Sequence, residues 1–385
     1  MKDIRRKPIL VLLLLLLVFL PIHAGESLED FLKELPLKNI RVLEKEAFYS
    51  NIYEIYFEQP LDHANPDAGT FTQRLYISHI DKNMPVVLVT EGYDASYYYT
   101  SEPATILKCN QIIAEHRFFG QSKPDSLEWE YLTTWQSASD HHCIIEAFSK
   151  YYTGKWITTG ISKGGQTVLF HSFYYPDDSD ARIPYVAPLN NNVEDQRIYS
   201  FLDKVGNRTC RNRIHRFQKW ALRHEEILIP EFKAFSEKKG YTYEEVGGYE
   251  KAFEYCVLEY SFAFWQWGYA TCSEIPVRDG NPEDVIRHMN TVGGFDYFAD
   301  EFVREYRPFF YQAYTEMGYY GYDLDEFRCC LNYVTDPGFS FTLPENVNHS
   351  FQGDLLLKVD NYVKKDAKNF IFIYGEYDTW SATAV

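Results

Sequence analysis

At 385 residues, with 45% hydrophobic and 17% aromatic side chains, the chain can fill a large core and lacks the charged, aromatic-poor composition of disordered proteins. Its net charge of −17, from 38 basic and 55 acidic side chains, repels phosphate backbones and argues against nucleic acid as a partner. Seven cysteines, none in C-x-x-C spacing, argue against a zinc knuckle and leave room for buried thiols and one or two disulfides of undetermined pairing.

The opening MKDIRRKPILVLLLLLLVFLPIHAGE joins a basic start to an apolar run from Ile9 to Leu20, with small residues at Ala24 and Gly25. That run is too short to cross a bilayer comfortably, so residues 1–24 read as an export signal, the only part expected to meet a membrane. The protein is then secreted or periplasmic. NIYEIYFEQPLDH (51–63) and TFTQRLYISHI (70–80) alternate apolar and polar residues around a turn-rich NPDAG and predict a β-hairpin. PVVLVTEGY (85–93) and QIIAEHRFFGQS (111–122) are buried-strand runs, and SASDHHCIIEAFSKYY (137–152) spaces its apolar residues as a helix does. KWITTG leads through ISKGG into a helix from Gln166, and RIPYVAPLN (182–190) reads as the next strand. Strand and helix alternating in this way predict an α/β fold with a mostly parallel, doubly wound sheet.

Between about 201 and 350 the chain turns helical and aromatic, as in YEKAFEYCVLEYSFAFWQWG, and this region reads as an inserted helical cap. The sheet resumes at NFIFIYGEYDTW (369–380). The expected organisation is a signal (1–24), a core in two parts (25–200 and 351–385, the second cut short) and a cap (201–350).

WITTGISKGGQTVLF (156–170) carries G-x-S-x-G through Gly160, Ser162 and Gly164, between a β-prone and an apolar helical run. A strand entering a tight turn and then a helix lifts a side chain above the sheet edge, and flanking glycines let backbone pack against a strained serine. Ser162 is thus the candidate nucleophile of acyl transfer, which needs a base for the serine proton, a carboxylate to orient that base and donors for the developing oxyanion. Asp378, just past a late strand, is the candidate carboxylate, with Glu376 as the fallback. The expected donors are the backbone N–H of Lys163 and one from the TEGY turn, Gly92 or Tyr93. The base is the open place. None of the 11 histidines follows Asp378, and His349 is the nearest before it. Either an earlier histidine breaks the usual chain order, or the sequence stops ahead of the histidine loop, or the serine has no base.

His141, His142, Cys143 and Glu146 invite a metal reading, but the segment has the apolar spacing of a helix packed on a sheet, and no metal or cofactor is expected. Cys329 and Cys330 are expected to pack separately rather than bond to each other. NRT (207–209) and NHS (348–350) match a glycosylation acceptor, which carries no weight in a bacterial host.

PVVLVTEGY, IIAEHRFFGQSKP, DHHCIIEAF, TTGISKGGQT, YVAPLN and FIFIYGEYDTWSATAV, in that order, resemble the exported bacterial serine peptidases that include prolyl tri- and tetrapeptidyl aminopeptidases, cousins of the Pro-X carboxypeptidase and dipeptidyl-peptidase group. The resemblance runs from about residue 50 to the end. It implies an α/β-hydrolase core with a helical cap after the strand at 182–190, and release of short peptides from free N-termini, often after proline. Ser162 and Asp378 fall on matching motifs; the family's histidine has no counterpart before Val385. An acidic cleft attracts a protonated peptide amine and aromatic walls suit a proline ring. Glu316 in QAYTEMGYYGYD is a candidate partner for that amine, and WQWGY (265–269) reads first as core, second as pocket. The partner expected is a peptide substrate. The rivals are a carboxylesterase or lipase on the same fold, and a catalytically dead peptide-binding envelope protein.

Overall fold

The computed structural model describes residues 27–46, 48–276, 280–347 and 349–385. The export-signal segment (1–24) and the acceptor Asn348 lie outside the described residues. The chain divides into two units after Leu35. The described part of the first holds α1 (Leu28–Glu34), capped by Ser27, whose side chain accepts from the Asp30 N–H at 3.2 Å. Everything that follows belongs to the second, Pro36–Val385.

Its first strands are antiparallel: β1 (Leu37–Leu43), β2 (Asn51–Pro60) and β3 (Thr70–His79). The predicted hairpin is β2–β3, in unbroken register from Asn51↔His79 to Pro60↔Thr70. β4 (Val86–Thr90) and, after α2 (Glu102–Leu107), β5 (Asn110–Ala114) are buried at every position, so they do not alternate as one-sided strands do. Two buried polar residues in β5 are satisfied by backbone carbonyls: the Asn110 amide donates to Asp81 and the Gln111 amide to Tyr99. α3 (Thr134–Phe148), β6 (Trp156–Ile161), α4 (Lys163–Tyr174) and β7 (Ala181–Tyr185) follow in turn.

The sheet order is β1-β2-β3-β5-β4-β6-β7, with β5, β4, β6 and β7 mutually parallel. An antiparallel entry, one exchanged strand pair and then a parallel run with a serine turn after β6 is the α/β-hydrolase arrangement. α4 packs on β4, β6 and β7 and against α3. Some boundaries differ from expectation. α3 starts three residues early because Thr133 caps it, accepting from the Gln136 N–H at 3.1 Å, and α4 starts at Lys163 rather than Gln166. The segment after residue 369 pairs only at isolated points, Arg182↔Phe370 and Tyr185↔Ile373, both parallel. β1 has no buried residue, so no alternating pattern announced it.

After β7 come α5 (Arg197–Leu202), α6 (Arg208–Leu222), α7 (Glu225–Lys239), α8 (Tyr249–Trp267), α9 (Pro282–Gly293) and α10 (Asp300–Gln312), which runs into a π turn at Ala313–Met317. α11 (Gly353–Lys365) returns to α4. α8 is apolar nearly all round because α6, α7 and α9 enclose it. A disulfide, Cys210–Cys272, ties the start of α6 to the loop beyond α8. Cys329 and Cys330 are not bonded to each other: both are free, Cys329 exposed and Cys330 buried, with their sulfurs 3.2 Å apart. One hydrophobic cluster runs from Leu169 and Ala187 beside the sheet through Phe217, Phe262 and Phe310 of the helical region.

Candidate active site

The turn between β6 and α4 places Ser162 at φ 56°, ψ −120°, a conformation that costs an L-residue about 1–3 kcal/mol and persists only where its surroundings enforce it. They do so by backbone packed on backbone. A Cβ on Gly160 would lie 2.7 Å from the Thr90 carbonyl oxygen, and one on Gly164 2.5 Å from the same atom. A Cβ on Gly92 would meet the Gly164 nitrogen at 2.6 Å. The spaced glycines therefore let the ends of β4 and β6 close on the first turn of α4. The Ser162 N–H donates to Tyr185 O and its carbonyl accepts from the Gln166 N–H, both at 2.9 Å.

The expected oxyanion donors lie beside it. Among the described residues the backbone N–H groups of Lys163, Gly92 and Tyr93 donate no hydrogen bond, while the Tyr93 carbonyl accepts from the His116 N–H at 3.0 Å. Burial pushes the Tyr93 phenol well up, Tyr306 adds to this, and a hydrogen bond with the Ser162 side chain offsets part of it.

Asp378 reaches the same edge by topology. Ile161, Tyr185 and Ile373 stand level across three parallel segments, so the segment ends that lead into Ser162 and on toward Asp378 lie two strand spacings, about 10 Å, apart on one edge of the sheet. Asp378 is half-buried and caps the short 3-10 turn Thr379–Thr383, accepting from the Trp380 N–H at 3.0 Å. Burial raises its carboxyl above the usual range, and that hydrogen bond works against the rise. Glu376 is exposed.

Ser162, Lys163 and Tyr93 line a cavity of about 470 Å³ together with Trp380 and Glu259. Glu259 was missed in the sequence, where it sits unmarked within the apolar run of α8. It is 5% exposed, and its Oε2 accepts from the Tyr320 and Tyr322 hydroxyls at 2.8 and 2.7 Å. Its Oε1 accepts no hydrogen bond among the described residues. Burial raises its pKa to about 7, with the two tyrosines holding it lower than burial alone would. A buried acid eleven residues after the capping Gly248 has no one-dimensional signal; only the fold turns it to the cavity.

Glu316, the residue expected to meet a substrate amine, is elsewhere. It is buried, its Oε2 accepts from the Thr134 N–H at 2.6 Å, and it lines a separate cavity with Leu132 and Gln352. It holds the start of α3, and of the two carboxylates that line Ser162's cavity, Glu259 and Asp296, Glu259 is the buried one. The WQWGY segment also departs from a core reading. Trp267 and Tyr269 are 53% and 66% exposed, stack nearly parallel with centroids 6.0 Å apart, and line the same cavity.

No histidine lines that cavity among the described residues. His141 packs edge-on to His171, while His142 and His171 both pair with Asp178 at 2.9 Å. Cys143 lies 3.8 Å from His63, itself paired with Asp140. Asn207 caps α6, accepting from the Thr209 N–H at 2.7 Å.

A serine turn of this geometry on this sheet marks a hydrolase, and the sequence family decides which. The family described as PS-10 peptidase S37 matches residues 27–385. The chain belongs to this peptidase family. It is a serine peptidase of the α/β-hydrolase fold. Among curated relatives, the prolyl tri/tetrapeptidyl aminopeptidase of Streptomyces mobaraensis is 31% identical over 354 residues, covering 90% of this chain and 74% of the relative. The lysosomal Pro-X carboxypeptidase of Mus musculus is 28% identical over 199 residues, 46% of this peptidase and 40% of the relative. An acetyl xylan esterase from Paenibacillus sp. R4 superposes with a TM-score of 0.31 at 15% identity, covering 41% of this peptidase and 56% of the esterase; it adds nothing to the topology already described.

Proposed function

We propose that this peptidase removes short peptides from free N-termini, as the name of its Streptomyces relative describes for that enzyme. In this reading Ser162 attacks the scissile carbonyl, the N–H groups of Lys163 and of Tyr93 or Gly92 hold the oxyanion, and Asp378 is placed to orient the base that takes the Ser162 proton, a base that no histidine lining the cavity among the described residues supplies. The protonated α-amine sits against Glu259, and tyrosine and tryptophan walls receive a proline ring. The observation that carries it is a single cavity with the strained serine at one place on its wall and a buried carboxylate with a vacant oxygen at another. A buried acid suits an ammonium and penalises the apolar acyl chain of a lipase substrate, which disfavours the esterase reading. Helices α5–α10 act as the cap that limits the cavity to a short chain end. Export belongs to the same proposal, supported by the Cys210–Cys272 disulfide, a feature of oxidising compartments.

The test combines a fluorophosphonate probe with peptides of graded length. Labelling abolished in Ser162→Ala, with release of a short N-terminal peptide that N-acetylation blocks, is the expected result. Hydrolysis of p-nitrophenyl butyrate without peptide release would favour the esterase. Absence of labelling in both forms would leave a peptide-binding protein.

A further inference from the structure

We propose that Lys163 is a positioning residue that holds the Gly92–Tyr93 peptide unit in place, so that the Tyr93 N–H is aimed at the oxyanion formed on Ser162. The inference rests on the Ser162 reading and adds to it a role for the side chain next to the nucleophile.

Lys163 is 1% exposed, an unusual state for lysine, and no carboxylate among the described residues pairs with it. Its Nζ donates to the Gly92 carbonyl oxygen at 2.6 Å. The same nitrogen lies 5.6 Å from the centroid of the Tyr93 ring and 5.1 Å from that of Phe119, so two aromatic faces complete its surroundings. Burial pushes its ammonium well below the usual lysine range, and its proximity helps depress His116.

The Gly92 carbonyl and the Tyr93 N–H are the two ends of one trans peptide plane and point in opposite directions. A donor locked onto the carbonyl therefore fixes the direction of the N–H. The other side of Tyr93 is fixed as well, because its carbonyl accepts from the His116 N–H at 3.0 Å. The Tyr93 N–H itself donates to nothing among the described residues. It is pinned from both sides and free. Hydrogen bonds in series polarise one another, so a donor on the Gly92 oxygen also strengthens the Tyr93 N–H as a donor. Gly92 has no side chain for the reason this contact requires: a Cβ there would lie 2.5 Å from the Lys163 Cβ.

The experiment compares Lys163→Met, which keeps the length but not the donor, with Lys163→Gln, which keeps an amide donor. Fluorophosphonate labelling rates, kcat and KM on a short peptide, and thermal midpoints are read on the full chain. The expected result for Lys163→Met is a fall in kcat and in labelling rate of about tenfold to a hundredfold, less than the loss of a whole oxyanion donor, with KM within about twofold. Lys163→Gln should recover part of that loss at a similar thermal midpoint. Labelling and kcat equal to wild type in Lys163→Met overturn the inference, as do equal losses in both variants with KM rising in step. If Lys163→Met does not fold, Lys163→Leu, which also lacks a donor, takes its place: kcat lowered with KM unchanged supports the role, and an unchanged kcat overturns it. A wild-type chain that the probe does not label removes the Ser162 reading and this inference with it, whereas a labelled wild type beside an equally labelled Lys163→Met removes only the role of Lys163.

Discussion

Glu259 is the side chain whose ionisation the proposed substrate would feel most directly. Its carboxyl titrates at about 7 in the free protein because burial outweighs the two tyrosine hydroxyls that stabilise its charge. An ammonium requires it ionised, and a peptide α-amine is itself protonated only below about 8. As pH falls below 7 the carboxylate takes up a proton and 1/KM should drop; above about 8 the amine loses its proton and 1/KM should drop again. Glu259→Gln should raise KM by about tenfold or more and erase the acid limb of the 1/KM profile, measured on a free-amine peptide. An acid limb unchanged in that variant would assign the amine to another group. The same logic shows why Glu316 serves differently: its burial also raises its pKa, but the Thr134 N–H already occupies it, and it acts as a clamp on α3.

Among the elements, α8 connects the most distant features. Its Glu254 accepts from the backbone N–H of Tyr333 and Val334 at 3.0 and 2.6 Å, its Glu259 and Phe262 face the cavity, and its exposed end carries Trp267 and the turn to Tyr269. The Cys210–Cys272 bridge closes a loop that contains all of α7 and α8 and α6 from Cys210 onward, across 62 residues of sequence separation. On the chain-entropy account a loop of this length contributes about 4 kcal/mol through the unfolded state. Cys210→Ser together with Cys272→Ser should lower stability by about 2–4 kcal/mol, seen as a lower denaturant midpoint, with a steeper slope because the uncrosslinked unfolded chain exposes more surface. KM should rise more than kcat falls, because the helices that carry Glu259 loosen while the turn at Ser162 is held by β4, β6 and α4.

For the molecule as a whole, a net charge of −17 draws a cationic chain end from solution. Raising salt shortens the reach of that field, so kcat/KM on free-amine peptides should fall several-fold between low and high ionic strength, and binding of N-acetylated peptides should change little. Equal salt dependence for both would place the attraction elsewhere than the amine. What one dimension already settled is the part written in local chemistry. The β2–β3 hairpin follows from alternation, the buried β4 from an unbroken apolar run, and the turn at Ser162 from glycines whose missing Cβ atoms let Thr90 and Gly164 touch. The placement of Asp378 at the end of the segment beside β7 was legible for the same reason, as an acid just past an apolar run. β1 escaped notice because its side chains are largely exposed, and a strand at a sheet edge needs backbone pairing more than an apolar face. Glu259 facing the cavity, Glu316 turned away from it, and Lys163 bonded to Gly92 all depend on which segments pack together across long stretches of chain. Hydrophobic spacing encodes which face of an element is buried, but a buried polar group's partner is chosen by the packed structure, because any nearby donor or acceptor satisfies it.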